Sequence, residues 1–493
     1  MNSPVVTSAQ MRDAENAAFA RGVSAETLMN QAGAGIAQEV QQFFRLPGYC
    51  LVFSGKGNNG GDALVAAARL KRAGWHTDVH LSFPESQCSD LLRRKITEFR
   101  DTPPVAAAVS AANPSGIPTA TIILDGLLGL GSRPPLRDPI LAACREVNRL
   151  RLERGAYVFA VDQPTGLDGD SGETDRDCVV ADFTVTIAAT KRGLIAYNAT
   201  NFVGRLEVVP LSDLPLEPTG ETVACTASLQ GLLPRRPFDA HKNQFGRVGI
   251  VAGSRGFAGA ATMCAWGALR AGAGLVEVFV PENIYEIVAA AAPFESMVKP
   301  VKSYRDLIEE KIDVWGIGPG LGRDNASEII ELIQRAENPM VVDADALNIV
   351  STNVSILKNC RGLRLLTPHP GEMKRLAGNQ KISRTELAKK FTSEFPITLL
   401  LKGSRTIVAE KGKLISYNTT GNPGMATGGM GDVLTGVCAA SLGQKLSPFD
   451  AARVGAWACG RAAEISIFNN GESQQSLLPR DVLTNLGRAL GEL

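Results

Sequence analysis

The sequence predicts an α/β protein with two domains, and three observations lead to that prediction. Short runs of β-branched and aliphatic residues alternate with segments whose apolar residues recur at helical spacing, a pattern typical of parallel sheets covered by helices on both faces. The 493 residues suffice for two or three domains, each with its own core. A proline-rich segment, Pro210–Pro218, interrupts the alternation before it resumes. We therefore predict domains over residues 1–213 and 224–493, with a linker over 214–223.

Composition and charge exclude several classes of protein. The 51 Lys and Arg residues balance 50 Asp and Glu residues, so the excess positive charge of a strong nucleic-acid binder is lacking. The longest stretch without a charged residue, 102–124, contains four prolines and does not suit a membrane span. No secretory signal pattern opens the chain, and nine cysteines without a CxxC pair indicate reduced thiols. We expect a cytoplasmic protein with neither a nucleic-acid nor a membrane partner.

The elements of the first domain follow from periodicity. Two helices are predicted between Thr7 and about Phe44, with a break at Gly22–Ser24, because apolar residues recur there every three or four positions. Further helices are predicted over Asp62–Ala73 and Pro139–Glu153. Since strands and helices alternate, the domain should hold a doubly wound parallel sheet. Its predicted strands are Cys50–Phe53, Thr77–Leu81, Ala120–Leu124, Tyr157–Val161 and Phe183–Ile187.

The second domain repeats this alternation, and glycines gather at the predicted strand ends of both domains. The chain has 50 glycines, with clusters in 55–61, 126–131, 253–259, 316–322 and 421–431. In an α/β fold the carboxyl ends of the strands border the ligand crevice, so these clusters predict two ligand sites. The predicted elements are a helix over Val433–Leu442 and strands over Arg247–Ala252, Leu275–Val280, Val314–Ile317, Met340–Val342 and Ile397–Leu401.

The first glycine cluster has the composition of a ligand loop. It leads from a strand into a helix that we expect to begin near Asp62, and Gly55, Gly57 and Gly60 fit the GxGxxG pattern. Such a loop directs backbone N–H groups at an anion. A tight strand-to-helix turn is the alternative, because no acidic residue ends the next strand to hold a ribose. The asparagines of the loop and Asp62, which a simple turn does not need, favour a ligand site.

Two further strand ends in this domain carry polar side chains. Asp125 ends one strand, and Asp162 and Thr165 follow the next. Adjacent parallel strands end at one crevice, so Asn59, Asp125 and Thr165 could converge as oxygen ligands of a cation; helix caps and Asx turns are the alternative for each alone. Asp162 is placed for acid–base chemistry. Lys191, at another strand end, is a second-rank candidate for the site, because a lysine at a strand end is more often simply solvated.

These motifs resemble the N-terminal, Rossmann-like domain of NAD(P)H-hydrate repair proteins. SGKGNNGGD, LDGLLGLG and VDQPTGLDGDSG carry the resemblance, which covers residues 7–210. It implies epimerisation of hydrated NADH and NADPH at C6 of the nicotinamide ring, with Asp162 at the reacting centre. It also implies a potassium ion on Asn59, Asp125 and Thr165. The substrate-binding residues that it implies are Asn58, Asn59, Gly60, Gly61, Asp62, Gly129, Leu130, Gly131, Ser132, Arg133, Pro134, Pro135 and Asp162.

The second domain has polar groups at its own strand ends. In Gly421–Asp432 three glycines within four residues precede a helix whose first turn holds Asp432. A carboxylate beside such a group of N–H donors suits phosphoryl transfer, because the carboxylate takes the proton of the attacking hydroxyl and the N–H groups stabilise the charge on the transferred phosphoryl group. The alternative is that Asp432 only caps the helix. The segment Lys402–Thr406 suits phosphate contacts or forms a plain β-turn. His369, between two prolines, is a candidate substrate contact.

Together these motifs resemble the ribokinase-like fold, and more closely the C-terminal domain of the same repair proteins. HKNQFGRVGIVAGS, GPGLG, DADALN, LTPHPGE, KGSRT and NPGMATGGMGDVLTG stand in family order over most of residues 240–490, with Asn243 where the family commonly has glycine. The resemblance implies an ADP-dependent (S)-NAD(P)H-hydrate dehydratase, with ADP as co-substrate and Mg²⁺ on its phosphates. The implied hydrate contacts are Ala260, Gly322, His369 and Asp432, with Asp432 as the base. The implied nucleotide contacts are Lys402, Gly403, Ser404, Arg405, Thr406 and Gly431.

Two alternatives to a bifunctional repair enzyme remain from the residues alone. The second domain would also suit a small-molecule kinase that releases a stable phosphorylated product. The first domain would also suit a non-catalytic interaction or RNA-binding module, although its near-neutral charge and the set Asn59, Asp125, Asp162 and Thr165 argue against that. We further expect small-molecule substrates and a homo-oligomer.

Overall fold

The structure is a computed structural model. The chain divides after Val223 into an N-terminal unit, Asn2–Val223, and a C-terminal unit, Ala224–Leu493. The structure describes residues 3–103, 121–214, 216 and 220–493. Ala120, the first residue of a predicted strand, lies outside the described residues, as do residues 215 and 217–219 of the predicted linker. Among the helices of the described residues, none combines the length and the apolar character that a membrane span needs.

A parallel sheet forms the centre of the N-terminal unit. Its described strands lie in the order β3-β2-β4-β5-β6-β8, and the chain runs outwards in both directions from β2 and β4, as in a doubly wound fold. Strand β2 pairs with β4 so that Ser54 is opposite Gly126, which brings both glycine loops to one edge of the sheet. Strand β1 pairs parallel with β7 and antiparallel with β9. The strands are β1 (Ser3–Val6), β2 (Tyr49–Ser54), β3 (His76–Leu81), β4 (Thr121–Gly126), β5 (Tyr157–Val161), β6 (Phe183–Ile187), β7 (Thr190–Lys191), β8 (Arg205–Val209) and β9 (Glu221–Ala224).

Helices cover this sheet, and local capping fixes where they begin. Thr7 caps α1 through a reciprocal bond with Gln10, and Ser24 caps α2 by accepting a hydrogen bond from the Thr27 N–H. The predicted break at Gly22–Ser24 is therefore confirmed. The helices are α1 (Ser8–Ala20), α2 (Ala25–Phe43), α3 (Asn58–Arg72), α4 (Asp90–Asp101), α5 (Ile140–Arg154) and α6 (Thr200–Val203).

Helix α3 begins at Asn58, four residues before the start that we expected near Asp62. Its first turn contains Gly60 and Gly61, which suggested a loop in the sequence. Their role is close packing: a Cβ atom on Gly60 would lie 2.4 Å from Ser54 Oγ, and one on Gly61 would lie 2.4 Å from Met29 Cε. The glycines thus let the N-terminus of the helix approach the strand end closely.

The C-terminal unit contains a larger sheet in the order β12-β11-β10-β13-β14-β15-β16-β17-β18. Neighbours from β12 to β16 are parallel, as predicted. Strand β17 is antiparallel to both β16 and β18, because the tight turn after Leu401 reverses the chain, and the sequence analysis missed this hairpin. The strands are β10 (Arg247–Val251), β11 (Leu275–Pro281), β12 (Met297–Val301), β13 (Val314–Ile317), β14 (Met340–Val342), β15 (Arg364–Leu366), β16 (Thr398–Leu401), β17 (Thr406–Glu410) and β18 (Ile415–Asn418).

Two glycine-containing helices pack closely in the core of this unit. A Cβ atom on Gly436 of α14 would lie 2.1 Å from the Cys264 carbonyl oxygen of α8, and one on Gly267 would lie 2.5 Å from the Val433 carbonyl oxygen. Helix α14 is therefore buried almost throughout and held firmly at its start. The helices are α7 (Thr226–Leu229), α8 (Ala258–Arg270), α9 (Tyr285–Ala291), α10 (Ala326–Arg335), α11 (Ala344–Val350), α12 (Pro370–Ala377), α13 (Arg384–Glu394), α14 (Met430–Gly443), α15 (Pro448–Asn470) and α16 (Pro479–Leu490).

Candidate active sites

A cavity of about 450 Å³ lies at the edge of the N-terminal sheet where β2, β4 and β5 end. Residues from α1 and α2 complete its wall, among them Met11, Glu15 and Met29. Of the predicted substrate residues, those that line the cavity are Asn58, Asn59, Asp62, Gly129, Leu130, Gly131 and Asp162.

The remaining predicted residues of these two segments lie away from the cavity wall. Gly60 and Gly61 are buried within α3. Ser132 is buried, and its hydroxyl oxygen accepts a hydrogen bond from the Gly166 N–H at 2.8 Å. The Arg133 Nε atom lies 3.8 Å from Asp168 Oδ2 on the surface, while Pro134 is half-buried and Pro135 is exposed. In the loop after β4, Gly129–Gly131 therefore line the cavity, whereas Ser132–Pro135 do not.

Asp162 follows β5 with a left-handed backbone, φ +67°, a conformation that aspartate, asparagine and glycine tolerate best. Its Oδ1 atom accepts hydrogen bonds from the Ile187 N–H at 3.2 Å and the Thr186 hydroxyl at 3.4 Å. The Lys191 ammonium also donates to Oδ1. Among the described residues Oδ2 has no hydrogen-bond partner, so this oxygen is available to a molecule in the cavity.

Lys191, the second-rank candidate, is buried beside Asp162, so the alternative of a simply solvated lysine is wrong. Its side chain is 1% exposed, and Nζ also donates to Thr186 Oγ1 at 3.1 Å and to the Ile187 carbonyl oxygen at 3.0 Å. Strand β7 causes the burial, because it pairs with β1 from the start of the chain. The apolar run Ile187–Ala189 directly before Thr190-Lys191 was the signal available in the sequence.

Two further carboxyl groups face the same cavity. Asp62 is 9% exposed and has no hydrogen-bond partner among the described residues. Burial, and then the charges of Asp162 and Glu15, raise the pKa of Asp62 well above its usual value, although Lys191 opposes them. Burial and Asp162 likewise raise the pKa of Glu15, a residue that the sequence analysis did not identify. The cavity thus gathers three carboxyl groups around one ammonium group, which favours a proton on Asp62.

Asp125 and Thr165 lie in direct contact below this cavity. The Thr165 hydroxyl donates to Asp125 Oδ1 at 2.7 Å, and the Thr165 N–H donates to Oδ2 at 2.9 Å. Burial raises the pKa of Asp125 to about 6, and the hydrogen bonds from Thr165 and Leu127 oppose this shift. Among the described residues no cationic side chain forms an ion pair with Asp125, so its negative charge is uncompensated.

Asn59 borders the same loop. A Cβ atom on Gly129 would lie 2.9 Å from Asn59 Oδ1, and the buried Asn59 Nδ2 atom has no partner within the described ranges. An amide can present either its oxygen or its nitrogen. An uncompensated carboxylate, a hydroxyl and an unsatisfied amide fit an oxygen-coordinated cation.

In the C-terminal unit the ends of β14 and β16 meet the start of α14. Lys402 Nζ lies 2.7 Å from Asp343 Oδ1, and the Thr435 hydroxyl donates to Asp343 Oδ2 at 2.8 Å. A Cβ atom on Gly431 would lie 3.5 Å from Lys402 Nζ. The predicted residues Lys402 and Gly431 are therefore close together, and the buried Asp343, which was not predicted as a site residue, joins them.

Asp432 stands beside this cluster in the first turn of α14, after Gly429 with φ +91°. Burial and the neighbouring Asp343 raise the pKa of Asp432 to about 6, while Lys402 opposes the shift. For Lys402 itself, burial lowers the pKa, but the carboxylates of Asp343 and Glu372 outweigh it and raise the pKa overall. Asp432 has no hydrogen-bond partner among the described residues, so its carboxylate is free to take a proton.

In the turn that follows β16, Lys402 lies at the site and Arg405 is buried. The Thr406 hydroxyl donates to the Gly403 carbonyl oxygen at 2.9 Å, and Arg384 donates to the Lys402 carbonyl oxygen at 2.9 Å, so the turn is held from both sides. Ser404 is exposed. Arg405 is only 4% exposed, which makes its guanidinium part of the interior rather than a surface phosphate contact.

Apart from Asp432, the predicted hydrate contacts are Ala260, Gly322 and His369, and they lie in two places. Ala260 at the start of α8 approaches the loop after β13, because a Cβ atom on Gly320 would lie 3.0 Å from Ala260 Cβ. In that loop the Gly322 N–H donates to Asp345 Oδ2 at 3.0 Å. His369 caps α12, since its Nδ1 atom accepts a hydrogen bond from the Gly371 N–H at 2.9 Å. Its ring remains half exposed and thus accessible to a ligand.

Comparisons with known proteins give the class of each unit. A family model described as NAD(P)H-hydrate dehydratase matches residues 248–485, and a model described as YjeF-related protein N-terminus matches residues 25–193. The chain is 35% identical to the bifunctional NAD(P)H-hydrate repair enzyme Nnr of Moorella thermoacetica, over 99% of this chain and 97% of that protein. It is 34% identical to the enzyme of the same name from Escherichia coli, over 97% of this chain and 92% of that one.

Among solved structures, the ADP/ATP-dependent NAD(P)H-hydrate dehydratase of Bacillus subtilis, co-crystallised with ATP and Mg²⁺, is similar at 27% identity and a TM-score of 0.49. It corresponds to 55% of this chain and 97% of that chain. The fold and the matched family models define a two-domain α/β enzyme whose C-terminal half matches NAD(P)H-hydrate dehydratases. The chain belongs to the family of bifunctional NAD(P)H-hydrate repair enzymes.

Proposed function

We propose that the N-terminal unit interconverts the R and S forms of hydrated NADH and NADPH, and that the C-terminal unit dehydrates the S form. The second reaction would consume ADP and release AMP and phosphate, so that the chain repairs damaged dinucleotides. Similarity to bifunctional repair enzymes over nearly the whole chain supports both halves. The geometric observation that carries the proposal is the same in each unit: an aspartate, Asp162 or Asp432, stands at the ligand edge of a sheet near a lysine.

In the epimerase reaction Asp162 would exchange a proton with the substrate at C6. The proton of the C6 hydroxyl would pass to Asp162 as the bond from C6 to the ring nitrogen breaks and leaves an aldehyde, and the proton would return when the nitrogen adds to the opposite face of that carbonyl. A positioned acid–base group lowers the barrier to both steps. Three donors, from Thr186, Ile187 and Lys191, all bind Oδ1, which leaves Oδ2 for the substrate. Lys191 would act as a positioning residue that orients Asp162 and balances its charge. Asp62, on which burial favours a proton, would donate a hydrogen bond in the same cavity.

The dinucleotide would lie between the start of α3 and the loop after β4. The first turn of α3 offers free backbone N–H groups of the kind that bind phosphate. Of the predicted contacts, we favour those that line the cavity, Asn58, Asn59, Asp62 and Gly129–Gly131. Ser132–Pro135 would act mainly by supporting this loop.

Potassium would be held by Asn59, Asp125 and Thr165. The fit is supported by the uncompensated charge of Asp125 and the unsatisfied amide of Asn59. When bound, the ion would supply positive charge that keeps Asp125 ionised. The Leu128 N–H donates to the Thr165 hydroxyl at 3.0 Å, and this bond would then link the ion site to the cavity-lining loop.

In the dehydratase reaction Asp432 would remove the proton of the ring hydroxyl. The resulting oxygen attacks the terminal phosphorus of ADP, and the bond from that phosphorus to the bridging oxygen breaks, which releases AMP. The N–H groups of Gly428–Gly431 would offset the charge on the transferred group. The phosphate ester then loses phosphate from C6 and a proton from C5, which restores the dihydronicotinamide. Hydroxide alone is a poor leaving group, which accounts for the consumption of a nucleotide.

Magnesium would accompany the nucleotide phosphates. Across the described ranges no group of three or more His, Cys, Asp or Glu side chains is arranged to hold a metal ion. Lys402 forms an ion pair with Asp343, so these residues place charged groups beside the site but do not surround a metal ion. Mg²⁺ typically keeps several waters and binds through substrate phosphates, which suits such a site.

A coupled assay on mixed R and S hydrates tests the whole proposal. We expect the absorbance of reduced nicotinamide to return completely when ADP is supplied, because epimerisation feeds the dehydratase. Parallel reactions with ATP would establish which nucleotide the C-terminal unit prefers. Recovery of only the S fraction would contradict the epimerase half. A stable phosphorylated product without recovered absorbance would contradict the dehydratase half and indicate a small-molecule kinase.

A further inference from the structure

The segment Gly421–Asp432, here called the anion loop, is anchored on the middle of helix α15. The Thr420 hydroxyl donates to the Trp457 carbonyl oxygen at 3.0 Å, and Asn418 Nδ2 donates to the Ala456 carbonyl oxygen at 3.3 Å. A Cβ atom on Gly460 would lie 2.2 Å from Thr420 Oγ1. The chain that enters the loop is therefore bound closely to one helix.

A buried carboxylate binds the first N–H group of the anion loop. Glu464 Oε1 accepts a hydrogen bond from the Gly421 N–H at 2.7 Å, and Glu464 is 1% exposed. Gly421 has φ +109°, so the chain turns there in a conformation that side chains rarely adopt. The bond therefore fixes the loop at the residue where its direction is set.

A second charged pair supports this carboxylate. Arg461 Nη1 lies 3.3 Å from Glu464 Oε2, and the same guanidinium binds Glu492 through Nε at 2.8 Å and Nη2 at 3.0 Å. Arg461 is also buried, whereas Glu492 is 33% exposed. Burial of such charges is costly unless they are paired. Arg461 therefore holds the Glu464 side chain in the orientation in which Oε1 accepts from the Gly421 N–H.

We propose that Glu464 is a positioning residue of the dehydratase. By holding Gly421 it would direct the N–H groups of Gly428–Gly431 at the nucleotide phosphates, and Arg461 and Glu492 would hold Glu464 in place. The inference rests on the proposed function of the C-terminal unit. It adds residues of α15 and of the segment after α16 to a site otherwise formed by strand ends.

The test compares Glu464→Ala with Glu464→Gln in the full-length chain. We expect Glu464→Ala to weaken ADP binding and raise the KM for ADP about tenfold, since a charge-assisted hydrogen bond to the loop is lost. Glu464→Gln should stay within about threefold of wild type, because the amide oxygen still accepts from Gly421. The epimerase rate should be unchanged in both variants, which provides an internal control for protein concentration.

Glu277→Ala is the matched control for lost stability. Glu277 is equally buried in the same unit, and it pairs with Arg247 at 2.8 Å and Lys299 at 2.6 Å on neighbouring strands. Its loss should lower the midpoint of thermal unfolding without changing the KM for ADP. An equal rise in KM for Glu277→Ala and Glu464→Ala would overturn the proposal, as would a wild-type KM in folded Glu464→Ala or equal impairment of both Glu464 variants.

Calorimetry with ADP alone separates this inference from the function on which it rests. We expect the dissociation constant for ADP to follow the same order, with Glu464→Ala weakest. If the wild-type chain binds ADP but does not dehydrate the hydrate, the proposed function fails, while the comparison of dissociation constants still decides the role of Glu464. Equal affinity for all the Glu464 proteins would overturn the positioning role.

Discussion

The aspartates proposed as catalytic in the two units have different surroundings. Asp162 is paired with the buried Lys191, and one of its oxygens is held by three donors. Asp432 has no ion-pair partner among the described residues, because the neighbouring Lys402 pairs with Asp343, and its pKa is raised to about 6. In the first site the protein supplies the countercharge, whereas in the second the base remains uncompensated.

This difference corresponds to the two reactions proposed. Epimerisation is reversible and returns its proton, so a carboxylate fixed in one orientation with a constant countercharge suits it. Phosphoryl transfer requires a stronger base, and a carboxylate whose pKa is raised takes a proton more readily. The contrast therefore predicts that loss of the neighbouring lysine affects the first site more directly than the second.

The largest expected effect is on the unpaired aspartate. Asp432→Asn should lower the dehydration rate by about 10³-fold, because the amide keeps the shape of the residue but cannot accept the hydroxyl proton. ADP binding and the epimerase rate should remain near wild type. Single-turnover dehydration of purified S hydrate with saturating ADP measures the effect. Retained turnover would show that Asp432 is not the base.

Removal of the countercharge in the first site should have the next largest effect. Lys191→Met should lower the epimerase rate by about 10²-fold, since Asp162 loses its charged partner and its orientation. Asp62 and Glu15, whose pKa values Lys191 lowers, should then hold their protons to higher pH. Because Asp62 is proposed to act in its protonated form, the alkaline limb of the epimerase pH profile should therefore move upwards, which simple misfolding would not produce.

Lys191→Arg provides the matched control, because it keeps the positive charge. We expect it to recover part of the epimerase rate and to return the pH profile towards that of wild type. A Lys191→Met profile identical to wild type, with only the amplitude reduced, would mean that the lysine serves stability alone.

The predicted cation site gives a smaller effect. Thr165→Val removes a hydroxyl that contacts Asp125, and we expect the potassium concentration for half-maximal epimerase rate to rise about tenfold. Thr184→Val is the control, because Thr184 is equally buried in this unit but donates to the Val203 carbonyl oxygen at 2.7 Å. The same potassium dependence in both variants would argue against coordination by Thr165.

The smallest effect is the pH dependence of the dehydratase. Asp432 must be ionised to act as a base, so with its pKa raised to about 6 the rate should fall about fourfold between pH 7 and pH 5.5. The effect of pH on stability has the opposite sign. The raised pKa means that the folded state favours neutral Asp432, so the contribution of this residue to the free energy of unfolding falls as pH rises from about 4 to 6. Measurement of kcat/KM across this range tests the first statement, and a rate independent of pH would contradict it.

Local apolar patterns predicted most strands of the two sheets. The site residues that the sequence analysis missed depend on contacts between segments that lie far apart in the sequence. The apolar runs gave strands such as Val314–Ile317 and Phe183–Ile187 with correct bounds. The burial of Lys191 was not predicted, because it depends on β1, which lies far away in the sequence. Asp343 and Glu15 were missed as site residues for a similar reason, since each joins its site only when separate elements pack together.

Glycine content was informative about position but ambiguous about conformation. Gly60 and Gly61 suggested a loop, yet they lie in the first turn of α3, where their lack of a side chain permits contact with Ser54 and Met29. A glycine can satisfy either a turn or a close approach, and only the three-dimensional neighbours distinguish these two uses.

The left-handed backbone of Asp162 restricts how this position can change over evolution. Aspartate, asparagine and glycine adopt that conformation readily, and of these only aspartate carries a carboxylate. Glutamate, which could replace the acid in chemical terms, would strain the backbone and displace its oxygens from Lys191. Substitution towards asparagine would keep the backbone conformation but remove the acid and leave the buried ammonium of Lys191 without its charged partner, so the epimerase half would lose stability together with its activity.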